Sequence, residues 1–191
     1  MPEDPEEDSE GLDKPPAFFP YDGEETEREP GTLGEPVEVN VEGVFGYESN
    51  GKVEHFVLLS DGDRKVPILI GPFEAQAITL PLDGAQPDRP MTHDLIRTII
   101  DRLGWSLARV IIDDLWSATY YAKLHLHQGN NEIEIDCRPS DAIALAVRFD
   151  APILVAEGIL AGPTIRRSSA SSSMPPASSY AGGSQTYFRI P

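Results

Sequence analysis

The sequence predicts an α+β fold: one domain of two similar halves, each of three strands followed by a helix, with mixed or antiparallel strands and packed helices. Three observations predict it. Apolar segments that alternate with polar residues, or are rich in strand formers, are separated by short Gly, Asn and Asp turns. Two helical segments open at a proline, and the chain matches itself at an offset of 67 positions.

The elements follow in order. "VEVNVEGVFGY" (37–47) alternates, "VEHFVLL" (53–59) is rich in strand formers, and "SNG" (49–51) joins them as a hairpin turn. "KVPILI" (65–70) is a third strand after the turn "DGD" (61–63). "PFEAQAITLPL" (72–82) starts with Pro at a favoured first helical position. "THDLIRTIIDRLG" (92–104) is a second helix, with Thr92 as N-cap, Asp94 in the first turn and Gly104 as the stop. Its helically spaced Leu95, Ile96, Ile99, Ile100 and Leu103 are expected to form a buried stripe. Strands are then expected at 107–115, 118–127 and 131–137, the last two joined by "QGNN" (128–131). A helix over 139–149 and a strand at 152–156 close the domain.

At the 67-residue offset, "FVLLSDGDRKVPILIGPFEAQAI" (56–78) falls without a gap on "KLHLHQGNNEIEIDCRPSDAIAL" (123–145). Gly62 meets Gly129, Pro72 meets Pro139, Glu74 meets Asp141 and Ala75 meets Ala142. Turn, strand and helix start agree together, which points to an internal duplication. Glu74 and Asp141 each stand two residues after a proline. A carboxylate there favours the positive helix end by about 0.3–1 kcal/mol, so both residues have a structural explanation before any chemical one.

Charge is unevenly spread. The chain has 32 acidic and 15 basic residues, net -17. Residues 1–35 carry 13 acids against 2 bases and are expected to be a disordered acidic tail able to contact a protein partner. Residues 36–165, the folded domain, carry 19 against 10, net -9. Residues 166–191 are Ser-rich, have three arginines and no acid, and are expected to be a second disordered tail. A bare acidic surface repels nucleic acid and anionic membrane, so a nucleic-acid role needs a bound cation or a local basic patch. The single Cys137 excludes an intramolecular disulfide and a cysteine zinc cluster within one chain. No run approaches the about 18 apolar residues of a membrane span, and the N-terminal residues do not show the basic-then-apolar pattern expected of a signal segment. A cytoplasmic protein without a membrane role is expected, and a homo-oligomer is compatible with its edge strands.

The segments "VPILIGPFEAQAI", "DRPMTHDL" and "IDCRPSDAIALAVRFDAPILVAE" occur in this order. Together they resemble the bifunctional nuclease family over roughly residues 36–162, with both tails left out. The resemblance implies cleavage of both RNA and DNA. One residue departs from it: Cys137 stands where a small residue such as Ala is expected, and it reads as a buried small residue rather than a nucleophile.

Phosphodiester hydrolysis needs an activated water, charge stabilisation at phosphate and help for the leaving oxygen. In a metal-assisted route, the first expectation, carboxylates hold Mg2+ or Mn2+; Glu74, Asp136 and Asp141 are the candidate ligands, with Asp94 as a further candidate. In a metal-free route His93 is the acid or base, and Arg89 or Arg138 grips phosphate. Glu74, His93, Asp94, Asp136 and Asp141 are thus the catalytic candidates, with Arg89, Arg138 and Ser140 as candidate nucleic-acid contacts. His125 and His127 share one strand face, but without a third ligand they read as an ordinary strand surface. No Walker loop, HExxH or dinucleotide glycine fingerprint is present. The competing expectation is a non-enzymatic acidic binding or regulatory module.

Overall fold

The computed structural model describes residues 33–49, 52–116, 119–161 and 186–190. The expected N-terminal tail up to residue 32, the hairpin turn at 50–51 and residues 162–185 lie outside them. The strands are β1 (Pro36–Ser49), β2 (Lys52–Ser60), β3 (Lys65–Ile70), β4 (Ser106–Trp116), β5 (Thr119–Gln128), β6 (Asn131–Cys137), β7 (Ile153–Ala156) and β8 (Thr186–Arg189). The helices are α1 (Pro72–Leu82), α2 (Thr92–Arg102), α3 (Pro139–Phe149) and α4 (Glu157–Ala161).

These strands form one mixed sheet in the order β3-β2-β1-β7-β4-β5-β6, with β8 paired to the far part of β1. Two antiparallel meanders, β1-β2-β3 and β4-β5-β6, are joined through β7, which runs antiparallel to β1 and parallel to β4. The order of three strands and a proline-led helix therefore occurs twice. The recurrence is one of element order and does not by itself establish a duplication. Two elements were not expected: the short α4, and β8 inside the segment read as a tail. Leu33 and Glu35, at the end of the acidic segment, accept backbone hydrogen bonds from Gly158 and Glu157 at the start of α4.

One sheet face carries the core. Val57, Leu59, Val66, Val110, Ile112, Leu124 and Leu126 point to it at strand spacing, and Ile78, Ile143 and Leu160 pack on them from the helices. α3 is the central helix, between α1 and α2 and over β4 and β5. It is buried on nearly every side, and Ala142, Ala144 and Ala146 let neighbouring backbones come close. Side chains on the opposite sheet face, including Arg109, Lys123 and His125, are only partly buried.

Helix ends follow the local chemistry. The N-cap of α2 is Met91 rather than Thr92, and the Asp94 carboxylate caps it by accepting from the Met91 N–H at 2.9 Å. At the other end Gly104 has φ 77, its N–H donates to Asp101 O, and the Trp105 N–H donates to Ile100 O. That closes the helix with two reversed bonds that need a left-handed residue. The expected buried stripe of α2 is a correction: only Ile96 and Ile100 pack on the core, while Leu95, Ile99 and Leu103 are exposed. The reason is that α2 lies at the margin of the helix layer and touches chiefly α3, so a single edge of its apolar arc is covered.

A Cβ at Gly104 would also stand 3.0 Å from Gln128 Nε2, the group that donates to Leu103 O. Gly104→Ala should lower the unfolding free energy by about 1–2 kcal/mol, read from urea denaturation at neutral pH.

Candidate active site

The first turns of α1, α2 and α3 meet at one place. Pro72 and Pro139 start two of these helices, so Glu74 and Asp141 stand at matching positions on neighbouring N-termini. His93 enters from α2. Arg138, the residue before Pro139, lies between the two carboxylates. Its Nε and Nη2 donate to Asp141 Oδ2 and Oδ1 at 2.8 and 3.1 Å, and its Nη1 donates to Glu74 Oε1 at 2.9 Å. The Glu74 carboxylate folds back over Gly71, where a Cβ would collide with it.

His93 completes the cluster. Its Nε2 lies 3.0 Å from Asp141 Oδ1. A carboxylate only accepts, so Nε2 carries the hydrogen, and whenever the ring is neutral its lone pair is at Nδ1. Burial by itself would raise the Asp141 pKa. Hydrogen bonds from Arg138 and His93 outweigh it and hold this carboxyl below its usual range. The Arg138 guanidinium is held above its ordinary value by Asp141 and then Glu74, yet its side chain is largely open to solvent. Its remaining N–H groups are free for an incoming anion.

A second ion pair fixes His93 from behind. Arg148 carries a buried guanidinium whose Nε donates to Asp94 Oδ1 at 2.6 Å, while Nη1 donates to Ala77 O and Ala144 O at 2.7 and 2.8 Å. One side chain thereby bonds α1, α2 and α3. Burial would raise Asp94, but Arg148 and the Met91 N–H lower it further, so it stays ionised. Sequence reasoning missed Arg148. The signal was there: it is the one charge in the apolar run "AIALAVRF", where a buried charge must find a partner.

The structure thus brings together Glu74, His93, Arg138 and Asp141, with Asp94 behind His93. It separates three other candidates. Asp136 lies on β6 opposite Lys123 and shares the alternation of Glu132 and Glu134, so it points to the sheet face away from the helices. Ser140 is buried in the first turn of α3, and Arg89 is exposed on the segment 83–91 that leads into α2. Cys137 packs against the core; burial and then the charges of Asp141 and Asp136 push its thiol up to about 12, which rules out an easily formed thiolate. His125 sits on the far face, with Nδ1 3.5 Å from Arg109 Nη2 and 3.6 Å from Glu134 Oε1.

As metal ligands, Glu74, Asp136 and Asp141 do not form one set, because Asp136 faces elsewhere. Among the described residues no three His, Cys, Asp or Glu side chains are grouped around one point. Glu74 and Asp141 remain as a pair of carboxylates drawn to one cation, the guanidinium of Arg138. Mg2+ is commonly held by one or two carboxylates with waters and substrate phosphate, so this pair fits such an ion once Arg138 turns outward.

Two outcomes follow from these ties. Arg148→Met should lose about 3 kcal/mol of stability at neutral pH, the low end for a broken buried pair because Asp94 reaches solvent. Asp94 and Asp141 both have folded pKa values below the unfolded value of about 3.9. Their contribution is therefore complete above that pH and is lost as pH falls through the folded values. Acid titration followed by circular dichroism should show a shallower loss of stability in Asp94→Asn than in the unaltered chain.

Among the described residues no helix is long and apolar enough to cross a membrane. The description of the bifunctional nuclease domain matches residues 57–168, more than half of the chain. An uncharacterized protein of Mycobacterium tuberculosis is 43% identical over 124 residues, covering 65% of this chain and 74% of that protein. Bifunctional nuclease 1 of Oryza sativa subsp. indica is 30% identical over 101 residues, which cover 51% of this chain and 30% of the rice protein. Bifunctional nuclease 2 of Arabidopsis thaliana is 27% identical over 93 residues, covering 47% and 28%. The matched residues contain all of the cluster described above, from Glu74 to Arg148, and the chain belongs to the bifunctional nuclease domain family.

Proposed function

We propose that the chain is a nuclease that hydrolyses phosphodiester bonds in RNA and DNA, in the cytoplasm, with His93 and Asp141 as the acid–base pair and Arg138 as the phosphate contact. The observation that carries the reading is the convergence of these three residues. A histidine bonded to a carboxylate at 3.0 Å shares that carboxylate with an exposed arginine. Asp141 fixes the ring so that Nδ1 is the basic nitrogen, and it stabilises the imidazolium once a proton is taken. The ring can draw a proton from water as the phosphorus is attacked and return it to the leaving oxygen. The open N–H groups of Arg138 bind the phosphate oxygens, whose charge grows in the transition state.

Charge supports the metal-assisted form. Glu74 and Asp141 with Arg138 leave one uncompensated negative charge, and a phosphate adds another. Glu74 and Asp141 would hold Mg2+ or Mn2+, and the bound ion would offset charge on the phosphate. Arg138, long and mostly solvent-exposed, would turn from the carboxylates to the substrate.

The competing reading, a binding module without turnover, draws on one observation. Each charged group in the cluster already has a hydrogen-bonded partner, as in a tie that only holds helices together.

The full chain should cleave labelled single-stranded RNA and DNA with Mg2+ or Mn2+ and lose activity with EDTA. His93→Gln and Asp141→Asn should each reduce the rate by about 100-fold or more while circular dichroism shows the fold retained. Full activity in folded His93→Gln would remove the acid–base assignment. Substrate bound but never cleaved, across metals, would favour the binding module. Activity that survives EDTA would leave His93 and Arg138 as the whole machinery.

A further inference from the structure

The half-covered helix α2 leaves a surface with a definite character. Ile96 and Ile100 turn to the core, and Arg97 lies over the Phe149 ring, its Cζ 5.4 Å from the centroid. Leu95, Ile99 and Leu103 form the other apolar edge and are 55%, 48% and 66% exposed. They recur every four residues and span about 80° of the helix circumference. Both ends of the helix are fixed: His93 bonds Asp141 just after β6, and the Leu103 carbonyl accepts from Gln128 just before it. The stripe is therefore presented on a helix braced at both ends, its C-terminus tied to the end of β5 and its N-terminus to the turn after the edge strand β6. On the helix side of that strand Ile133 and Ile135 are also half exposed.

We propose that this face binds a second copy of the chain, α2 packing antiparallel on α2 about a twofold axis at Ile99. Two arguments select this occupant. First, the stripe is self-complementary, as a twofold interface requires. With Ile99 against its own copy, Leu95 meets Leu103 of the second molecule four residues to either side. Second, charge selects the helix over other surfaces. The folded domain 36–165 is net -9, so two copies repel over most of their surface. α2 carries Asp94 and Asp101 against Arg97 and Arg102, and is neutral. A nucleic acid would gain nothing from an uncharged apolar strip.

The alternative self-contact, strand β6 on strand β6, is disfavoured by its own side chains. Antiparallel pairing about Glu134 sets Glu134 against itself and Glu132 against Asp136, like charges directly opposed.

Sedimentation velocity of the full chain over a concentration series tests the proposal. A reversible dimer is expected, and Ile99→Asp should sediment as a monomer. Leu69→Asp, an exposed position on β3 at the opposite sheet edge, should leave the dimer intact. Ile99→Cys in a Cys137→Ala background should give a covalent dimer on oxidation with diamide, because residue 99 sits on the axis. This second readout decides if Ile99→Asp fails to fold. A monomer at all concentrations overturns the proposal, as does a folded Ile99→Asp that still dimerises or an Ile99→Cys that does not cross-link.

Discussion

Arg148 carries a full positive charge into the helix layer, and the arrangement of the site depends on how that charge is met. A guanidinium removed from water must find acceptors on all sides. It finds Ala77 O on α1, Ala144 O on its own helix and the Asp94 carboxylate on α2. These partners come from three helices, so satisfying one side chain fixes the position of all three. Asp94 cannot be lost or turned without leaving the arginine short of a partner. Its neighbour His93 is thereby held against Asp141. Hydrophobic packing alone would not achieve this, because α2 buries only the Ile96 and Ile100 edge of its surface.

The same logic operates at the surface with the opposite consequence. Arg138 also joins helices, but its side chain stays mostly in water and its bonds to Glu74 and Asp141 are replaceable. An exposed ion pair contributes little to stability, so exchanging it for a phosphate or a divalent cation costs little. One arginine is committed to structure and the other can exchange its partners, and depth of burial separates them. In the proposed reaction this division lessens the repulsion between a chain of net charge -17 and a polyanion. The acidic residues at the site are already partnered, and the cationic group that faces solvent is the one a phosphate would meet first.

Much of the fold was legible because strong local rules agreed. Strand alternation, proline at the first position of α1 and α3, and glycine after α2 placed those elements within a few residues of where they stand. What escaped was set by distant parts of the chain. β8 forms because residues 186–189 find the open side of β1, which nothing local announces. The exposure of Leu95, Ile99 and Leu103 depends on how far α3 covers α2, a fact of layer geometry and not of helical period. Within the candidate site, the convergence of Glu74, His93, Arg138 and Asp141 was legible because polar residues cluster at helix starts. Asp136 was grouped with them although strand alternation puts it with Glu132 and Glu134, and that signal should have outweighed its closeness in sequence to Asp141. Arg148 was passed over because a charge inside a good amphipathic segment looks like its solvent face.

In the proposed mechanism the protonation of His93, held by Asp141, controls cleavage. The most direct measurement sets the pH profile of single-turnover cleavage by the full chain beside the NMR titration of the His93 ring in the same protein. A limb of the rate profile is expected to share the midpoint of that titration. A rate that stays flat while the His93 ring titrates would contradict it.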